Sequence, residues 1–386
     1  MIRSHKILLY PNNKQTTYLT KACGVARFAY NWALSEWKRR HEAGETVRES
    51  ILWRELNTIK REQYPWMLEV AKCVPQLAVK SDLKNAAGDY LEGRAQFPKF
   101  RKKGVRDSFT LSTSNFLTIE KKVWISLLGW VNMAEGLRFD GENIDAVISR
   151  DADKWYIVIR VAMPDPEPMH TGENQAVGIC FGSSSFATLS DGTAIGEANA
   201  GTQADRRLKR LNRELSRRKG AKKGETKSGN FLKTKRKISR LYTKTVNIRE
   251  NQTHRQTTKL TREYGVIGIE NTDGMENTDK TGIIGNIDTR GGISYNGAAR
   301  GIAGIHEFRQ KLEYKAVATG TRIIVANRWS PSSKNCHACG YGNKVAQQPE
   351  RDWICAECGV HNEREINAAI KLRDYAIVIN SEQETP

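Results

Sequence analysis

Two Cys-x-x-Cys pairs, Cys336-His-Ala-Cys339 and Cys355-Ala-Glu-Cys358, stand fifteen residues apart near the C-terminus. Four thiols at this spacing converge on one tetrahedral ion, so the segment between them is expected to fold as a zinc ribbon whatever surrounds it. Gly340 and Gly359 each follow the second Cys of a pair and permit the knuckle turn. His337 and His361 are near enough to substitute as ligands, but four thiolates already close a structural site. Cys23, Cys73 and Cys180 are scattered, a pattern that suits metal binding in a reducing compartment rather than disulfides.

Charge constrains the partner. The 386 residues carry 62 Lys+Arg against 43 Asp+Glu, a net charge of +19, and the stretch from Asp205 to Arg240 alone holds sixteen Lys/Arg and three acidic residues. A concentration of this kind points to a polyanion, with nucleic acid as the default. No apolar run approaches the roughly 18 residues of a membrane span, and the first residues lack the apolar core of a signal peptide. The expectation is a cytoplasmic protein, nucleoid-associated when bound to DNA, with no membrane partner.

Taken in order, Ile2 to Tyr10 reads as a strand. A helix follows, with Leu19, Ala22, Val25, Ala26, Ala29, Trp32, Ala33 and Trp37 on one face and Lys21, Arg27, Lys38, Arg39 and Arg40 beside it. Helical stretches from Ile51 to Gln63 and from Gln76 to Tyr90 are interrupted at Pro65 and Pro75. A basic loop, Phe97-Pro-Lys-Phe-Arg-Lys-Lys-Gly104, precedes short strands at 108–113, 122–127, 144–150 and 154–162, a spacing that suggests a small barrel or sheet with Trp124, Trp155 and Tyr156 in its core. Pro164-Asp-Pro-Glu-Pro168 marks a linker and domain boundary.

Beyond it, Ala176 to Gly192 reads as a buried hairpin with Cys180 at the end of its first strand. Asp205 to Tyr264 is a basic helical hairpin split by a loop at 220–229, and Gly265 to Glu270 is a short buried strand ending on an acid. Thr272 to Gly297 is rich in Gly and Asn and expected to be mobile. A helix from Gly304 to Thr319 and a strand from Thr321 to Ala326 lead into the cysteine pairs.

Several ordered segments carry a more specific likeness: Tyr10-Pro-Asn, Gly24-Val-Ala-Arg-Phe-Ala-Tyr-Asn-Trp-Ala-Leu34, the 97–104 loop, Val177-Gly-Ile-x-Phe-Gly, Ser185-Phe-Ala-Thr-Leu-Ser-Asp-Gly192, Tyr264-Gly-Val-Ile-Gly-Ile-Glu270, Ser332-Ser-Lys-x-Cys and Arg364-x-Ile-Asn-Ala-Ala369. From end to end these resemble the TnpB family of transposon-encoded RNA-guided nucleases, relatives of type V CRISPR effectors. The resemblance implies an α+β multidomain chain. A wedge-like β-barrel (1–10 and 96–168) would be interrupted by a helical recognition insert (11–95) and followed by a RuvC domain of the ribonuclease H-like α/β fold (169–330 and 362–381). The zinc ribbon (331–361) would be inserted in that domain, and 382–386 would form a tail. It also implies one guide RNA per protein and a double-stranded DNA target found by pairing beside a short adjacent motif.

The same resemblance implies a RuvC centre in which three carboxylates hold two Mg²⁺ ions. The first position, an Asp in the family, is Cys180; the second is Glu270; the third is Glu365, with Glu363 shortly before it. Mg²⁺ demands oxygen ligands, a thiol cannot replace one, and the extra methylene of Glu365 moves a carboxylate where about 1 Å matters, so either change should weaken cleavage and the two together should abolish it. The expectation from sequence is therefore a nuclease-dead TnpB-like protein, not an enzyme. It would hold structural Zn²⁺ through Cys336, Cys339, Cys355 and Cys358, have no catalytic use of Mg²⁺, and repress transcription by occupying guide-selected DNA. Two rivals stand beside it: an active nuclease in which Asp191, Glu363 or Asp273 supplies the missing carboxylate, and a non-guided accessory protein of a transposase.

Nucleic-acid contacts are expected from Arg206, Arg207, Lys209, Arg210, Arg213, Arg217 and Arg218 on the basic hairpin, and from Lys99, Arg101, Lys102 and Lys103 in the loop. Arg27, Tyr30 and Asn31 lie in the helix that resembles the family's N-terminal motif. Gln76, Lys80 and Lys84, one turn apart, are candidates for groove contacts beside the target.

Overall fold

A computed structural model describes residues 1–105, 107–164, 175–181, 185–197, 203–218, 228–271, 297–326, 335–342 and 352–384. The chain divides into two compact units, Met1–Pro164 and Asp165–Pro386. The anticipated linker from Asp165 to Pro168 lies outside the described residues, as do the loop at 220–227, most of the Gly- and Asn-rich stretch, and Asp273.

In the first unit, β1 (Ile2–Tyr10) leads into a 30-residue helix, α1 (Asn13–Glu42). The turn is fixed by a reciprocal cap: Gln15 N donates to Asn12 Oδ1 and Asn12 N donates to Gln15 Oε1, each at 2.9 Å. Leu19, Ala22, Val25, Ala26, Ala29, Ala33 and Leu34 bury one face of α1, as their periodicity predicts. Helices α2 (Glu49–Gln63), α3 (Cys73–Leu77) and α4 (Lys84–Leu91) complete the helical part. Between α3 and α4 the backbone widens into a π-helical stretch, Ala78–Leu83. That widened turn slips the 3.6-residue register, so Gln76, Lys80 and Lys84 do not continue one regular α-helical stripe.

Strands β2 (Asp107–Ser112), β3 (Phe116–Ile119), β4 (Lys122–Ile125), β5 (Gly129–Met133), β6 (Glu142–Asp151) and β7 (Lys154–Ala162) join β1 in an antiparallel sheet ordered β2-β6-β7-β1-β5-β4-β3. The expected barrel is corrected here, because β2 and β3 are the two edges of the ladder and do not pair. The short connection between them folds as a 3₁₀ turn, Thr113–Asn115, whose first hydroxyl donates to Asn143 O at 3.1 Å. Ile7, Leu9, Phe109, Leu111, Val131, Ile148, Ile157 and Ile159 form the core with the buried face of α1. Trp155 and Tyr156 are buried as expected. Trp124 is not: it lies opposite Trp130 across β4 and β5, and both rings are exposed.

The second unit is built on β8 (Ala176–Cys180), β9 (Ser185–Leu189), β10 (Ala194–Glu197), β11 (Val266–Ile269) and β12 (Arg322–Val325), in the order β10-β9-β8-β11-β12. The first three are antiparallel, while β8, β11 and β12 run parallel, which gives the mixed sheet of a ribonuclease H-like domain. The basic hairpin is α5 (Gln203–Arg217) with α6 (Gly229–Glu263), and α7 (Gly297–Thr319) connects β11 to β12. Phe308 and Leu312 of α7 pack with Val177, Ile179, Ile267 and Ile269. After the ribbon strands β13 (Asp352–Ile354) and β14 (His361–Glu363), the last helix α8 (Arg364–Glu384) crosses the sheet.

Two glycines permit that crossing. A Cβ on Gly178 would stand 1.8 Å from Ala369 O, and one on Gly268 would stand 2.2 Å from Leu372 O. Backbone therefore meets backbone where α8 lies over β8 and β11, and the first turn of α8 is drawn to the ends of those strands.

Candidate functional site

The carboxyl ends of adjacent parallel strands are where α/β sheets place their reactive groups. Ile179 of β8 pairs with Ile269 of β11, so the next residues, Cys180 and Glu270, lie side by side. Cys180 Sγ donates to Glu270 Oε1 at 3.1 Å. Glu365, in the first turn of α8, comes from the other side and accepts from Thr188 Oγ1 at 3.0 Å and Ser185 Oγ at 3.4 Å. Thr188 is the β9 partner of Cys180, so the hydroxyl pair joins Glu365 to the same strand end. The fold thus brings the three positions that the sequence singled out to the same strand ends, Cys180 and Glu270 across 90 residues of chain separation and Glu365 through the Thr188 and Ser185 hydroxyls.

Burial raises the Cys180 thiol well above its ordinary range, and the neighbouring Glu270 charge raises it further. It is a protonated thiol at neutral pH. Burial also raises Glu270; the Cys180 hydrogen bond and Arg364 pull it back, while Glu365 adds to the rise. Together these groups can hold a proton between a thiol and a carboxylate and present two carboxylates beside a cationic Arg364.

They do not fit a pair of magnesium ions as they stand. One of the three donors is a soft thiol that stays protonated, and Mg²⁺ is bound through hard oxygen atoms. Among the described residues the only cluster of three or more His, Cys, Asp or Glu with ligand atoms within 4.8 Å of one another is the set of four cysteines, so Cys180, Glu270 and Glu365 do not close on a common point. Of the substitutes considered from sequence, the two that are described, Asp191 and Glu363, do not fill the gap. Asp191 caps its own turn, accepting from Thr193 N at 2.8 Å, and Glu363 is an exposed residue at the end of β14.

The four-cysteine donor set is complete by contrast. Cys336 Sγ lies 3.7 Å from Cys358 Sγ, and Cys339 Sγ lies 3.5 Å from Cys355 Sγ. Four sulfurs around zinc at about 2.3 Å stand about 3.8 Å apart, so the donors fit this ion. Each knuckle closes as the glycines suggested: Gly340 and Gly359 have φ of 76° and 72°, and their N–H groups donate to Cys336 O at 3.0 Å and Cys355 O at 2.9 Å. His337 is drawn away from the sulfurs; its Nδ1 lies 2.8 Å from Asn362 Oδ1 and 3.1 Å from Asn367 Oδ1. Sequence reading gave these two asparagines no role, although Asn367 stands in the quoted 364–369 segment. Asn367 also accepts from His337 N and donates to Asn335 O, tying the first knuckle to the helix that carries Glu365. The signal was an Asn in the middle of an apolar helical run, which is unfavourable unless its amide is satisfied.

Of the expected nucleic-acid residues, Arg206, Arg207, Lys209, Arg210, Arg213, Arg217 and Arg218 are all exposed on or just beyond α5, while Leu208 and Leu211 turn inward against Ile238 of α6. Arg218 is partly committed, to Glu214 at 2.8 Å and to Thr234 Oγ1 at 2.7 Å. Lys80 and Lys84 are exposed, and Lys84 lies 3.8 Å from Glu49. Arg27 pairs with Asp107 at 3.3 Å, whereas Tyr30, Asn31 and Arg101 are brought together at the base of the 97–104 loop.

A mixed ribonuclease H-like sheet, a four-cysteine cluster fit for a zinc ribbon and a strongly basic helical hairpin define a fold of the RuvC type. Three family descriptions match the chain: "Helix-turn-helix domain" over residues 1–46, "Probable transposase" over 158–278, and "Cas12f1-like, TNB domain" over 306–372. The chain is 30% identical over 388 residues to the Streptomyces pristinaespiralis protein named "Putative RNA-guided DNA endonuclease", with 95% of this chain and 87% of that one aligned. It is 27% identical over 380 residues to "Putative RNA-guided DNA endonuclease InsQ" of Escherichia coli K12, covering 95% and 90%. Its fold is shared with the protein in the cryo-EM structure of a Cas12f1–sgRNA–target DNA complex, at 13% identity, a TM-score of 0.54, and coverage of 97% and 98%. The chain belongs to the TnpB family. The expectation that it is not an enzyme is corrected by these relatives, which are named as DNA endonucleases along nearly their whole length. That expectation inferred the loss of a whole activity from the identity of two ligand positions, Cys180 and Glu365. Among the described residues no helix is long and apolar enough to cross a membrane.

Proposed function

We propose that this chain is an RNA-guided DNA endonuclease of the TnpB type, whose RuvC positions Cys180, Glu270 and Glu365 do not by themselves complete a magnesium site and so leave strand scission slow. The observation that carries the proposal is the convergence of Glu270 and Glu365 on the strand ends of a ribonuclease H-like sheet. End-to-end similarity to proteins named RNA-guided DNA endonucleases supports it. Exposed arginines along α5 and the excess of positive charge suit a guide RNA and a DNA duplex as partners. Pairing with the guide reads the target sequence, and the protein supplies the charged channel and the contacts beside it.

A charged oxygen donor at position 180 would add a hard-metal ligand beside Glu270 and Glu365, which the buried, neutral thiol of Cys180 does not supply. A slow cut prolongs occupancy of the target, so repression of transcription at a guided promoter is a second output of the same complex. Purified complex, sequenced for its RNA, should yield one discrete guide-bearing species. A matched supercoiled plasmid should be nicked over hours, and Glu270→Ala should stop it. Absence of such an RNA, or nicking that survives Glu270→Ala, would contradict the proposal. A reporter with a guide-matched promoter checks the second output: expression should fall with the matched guide and recover with a mismatched one.

A further inference from the structure

The basic loop at 97–105 is pinned at three points. At its start, Phe97 packs against Trp37 and Tyr90, with ring centroids 5.6 and 5.2 Å apart, and Pro98 is buried. In its middle, the Asn31 side chain grips the backbone of Arg101 from both sides: Asn31 Nδ2 donates to Arg101 O at 2.9 Å and Arg101 N donates to Asn31 Oδ1 at 2.8 Å. The Arg101 guanidinium lies 4.0 Å from the centroid of Tyr30 and donates to Asp82 Oδ2 at 3.0 Å. At its end, Gly104, with φ of 76°, donates its N–H to Asp107 Oδ1 at 3.1 Å, and Asp107 in turn holds Arg27.

The pins divide the four cations of the loop into two kinds. Arg101 is neutralised and stacked, so its charge is used inside the protein. Lys99, Lys102 and Lys103 are exposed, and among the described residues none of them enters an ion pair. A flexible lysine-rich loop loses conformational freedom when it binds; one already held by side-chain bonds to its backbone loses less.

We propose that residues 97–105 form a preorganised clamp for the phosphodiester backbone of a nucleic acid, in which Lys99, Lys102 and Lys103 contact phosphates and Asn31 and Asp82 are positioning residues. The inference rests on the nucleic-acid-binding reading above. Guide RNA and target duplex offer the same backbone chemistry, and the experiment separates them.

Full-length protein is titrated with guide RNA in one arm, and the protein–RNA complex with matched DNA duplex in the other, each over a range of salt concentrations. In the arm that uses the clamp, K99A/K102A/K103A should weaken binding at least about tenfold. It should also reduce the log–log salt slope by about 2 to 3, because each phosphate contact contributes about 0.7 to 0.9. Asn31→Ala should weaken binding in the same arm with the slope and the melting temperature little changed, and should add nothing in the triple-lysine background. Asp82→Asn should give the same background-dependent loss. Wild-type binding with slopes unchanged by the triple variant in both arms would overturn the clamp and leave the function standing. So would an Asn31→Ala loss that persists without the lysines. A wild-type chain that binds neither RNA nor guided DNA would overturn both.

Discussion

The two metal-type sites of the second unit differ in how their donors are assembled. In the ribbon, each half-site is one tight turn, and four sulfurs stand at zinc-like separations. At the sheet ends, Cys180, Glu270 and Glu365 arrive from β8, β11 and α8, and their donors are spent on one another and on Thr188 and Ser185. A site made of local turns keeps its chemistry as long as the turns form. A site made by topology keeps its geometry when a ligand changes, and loses chemistry donor by donor.

The largest effect that would break this comparison is removal of zinc. Structural zinc contributes of order 10 kcal/mol to the folding of the module it closes. Chelation should therefore melt residues 335–342 and 352–363, seen as lost hydrogen-exchange protection there, while the first unit melts unchanged. A ribbon that stays protected without metal would contradict the structural role.

Next in size are the glycines beneath α8. Gly178→Ala forces a Cβ onto Ala369 O, and Gly268→Ala forces one onto Leu372 O. Each should cost about 3 kcal/mol, at the upper end of overpacking effects, measured by denaturant unfolding. Both should displace Glu365 from the strand ends and leave the ribbon's zinc content unaltered. A near-neutral substitution at either position would show that α8 is free to lift.

Cys180→Asp sharpens the same comparison from the chemical side. Restoring an oxygen donor should raise guided scission at least about tenfold, equivalent to about 1.4 kcal/mol of barrier, and Glu270→Ala should abolish the gain. No gain would place the limiting defect elsewhere, with Glu365 the next substitution to test.

The smallest effect is on stability. Burial raises Glu270 above the ordinary carboxylate range. Its contribution to stability is therefore full below the unfolded carboxyl pKa and is lost as pH rises through the higher folded value. Glu270→Gln removes that loss. The variant should melt higher than wild type at neutral pH, with the two curves converging in acid; a constant offset at every pH would contradict the assignment.

Local features of the chain were legible in its sequence. The apolar spacing of α1, the strands at 154–162 and 266–269, and the cysteine knuckles each depend on residues within a few turns of one another. The three positions at the sheet ends were legible only through family resemblance, and what they do there was not. Nothing near Glu365 in sequence announces that Thr188 and Ser185 hold it. The π-helical stretch at Ala78–Leu83 left no periodicity signal, because one widened turn shifts the stripe without breaking it. Trp124 looks like a core residue because its strand alternates, yet alternation does not say which face is covered. Tyr30, Asn31 and Arg101 read as outward contacts in the sequence, and the fold turns them on one another.

The central claim is that this protein finds DNA through a guide. The most direct measurement is the affinity of the purified protein–RNA complex for two duplexes that differ only in their match to the guide. The account predicts a preference for the matched duplex of at least about 10³-fold, the lower end of specific over non-specific DNA binding. Equal affinity for both, at any salt concentration where binding is measurable, would contradict it.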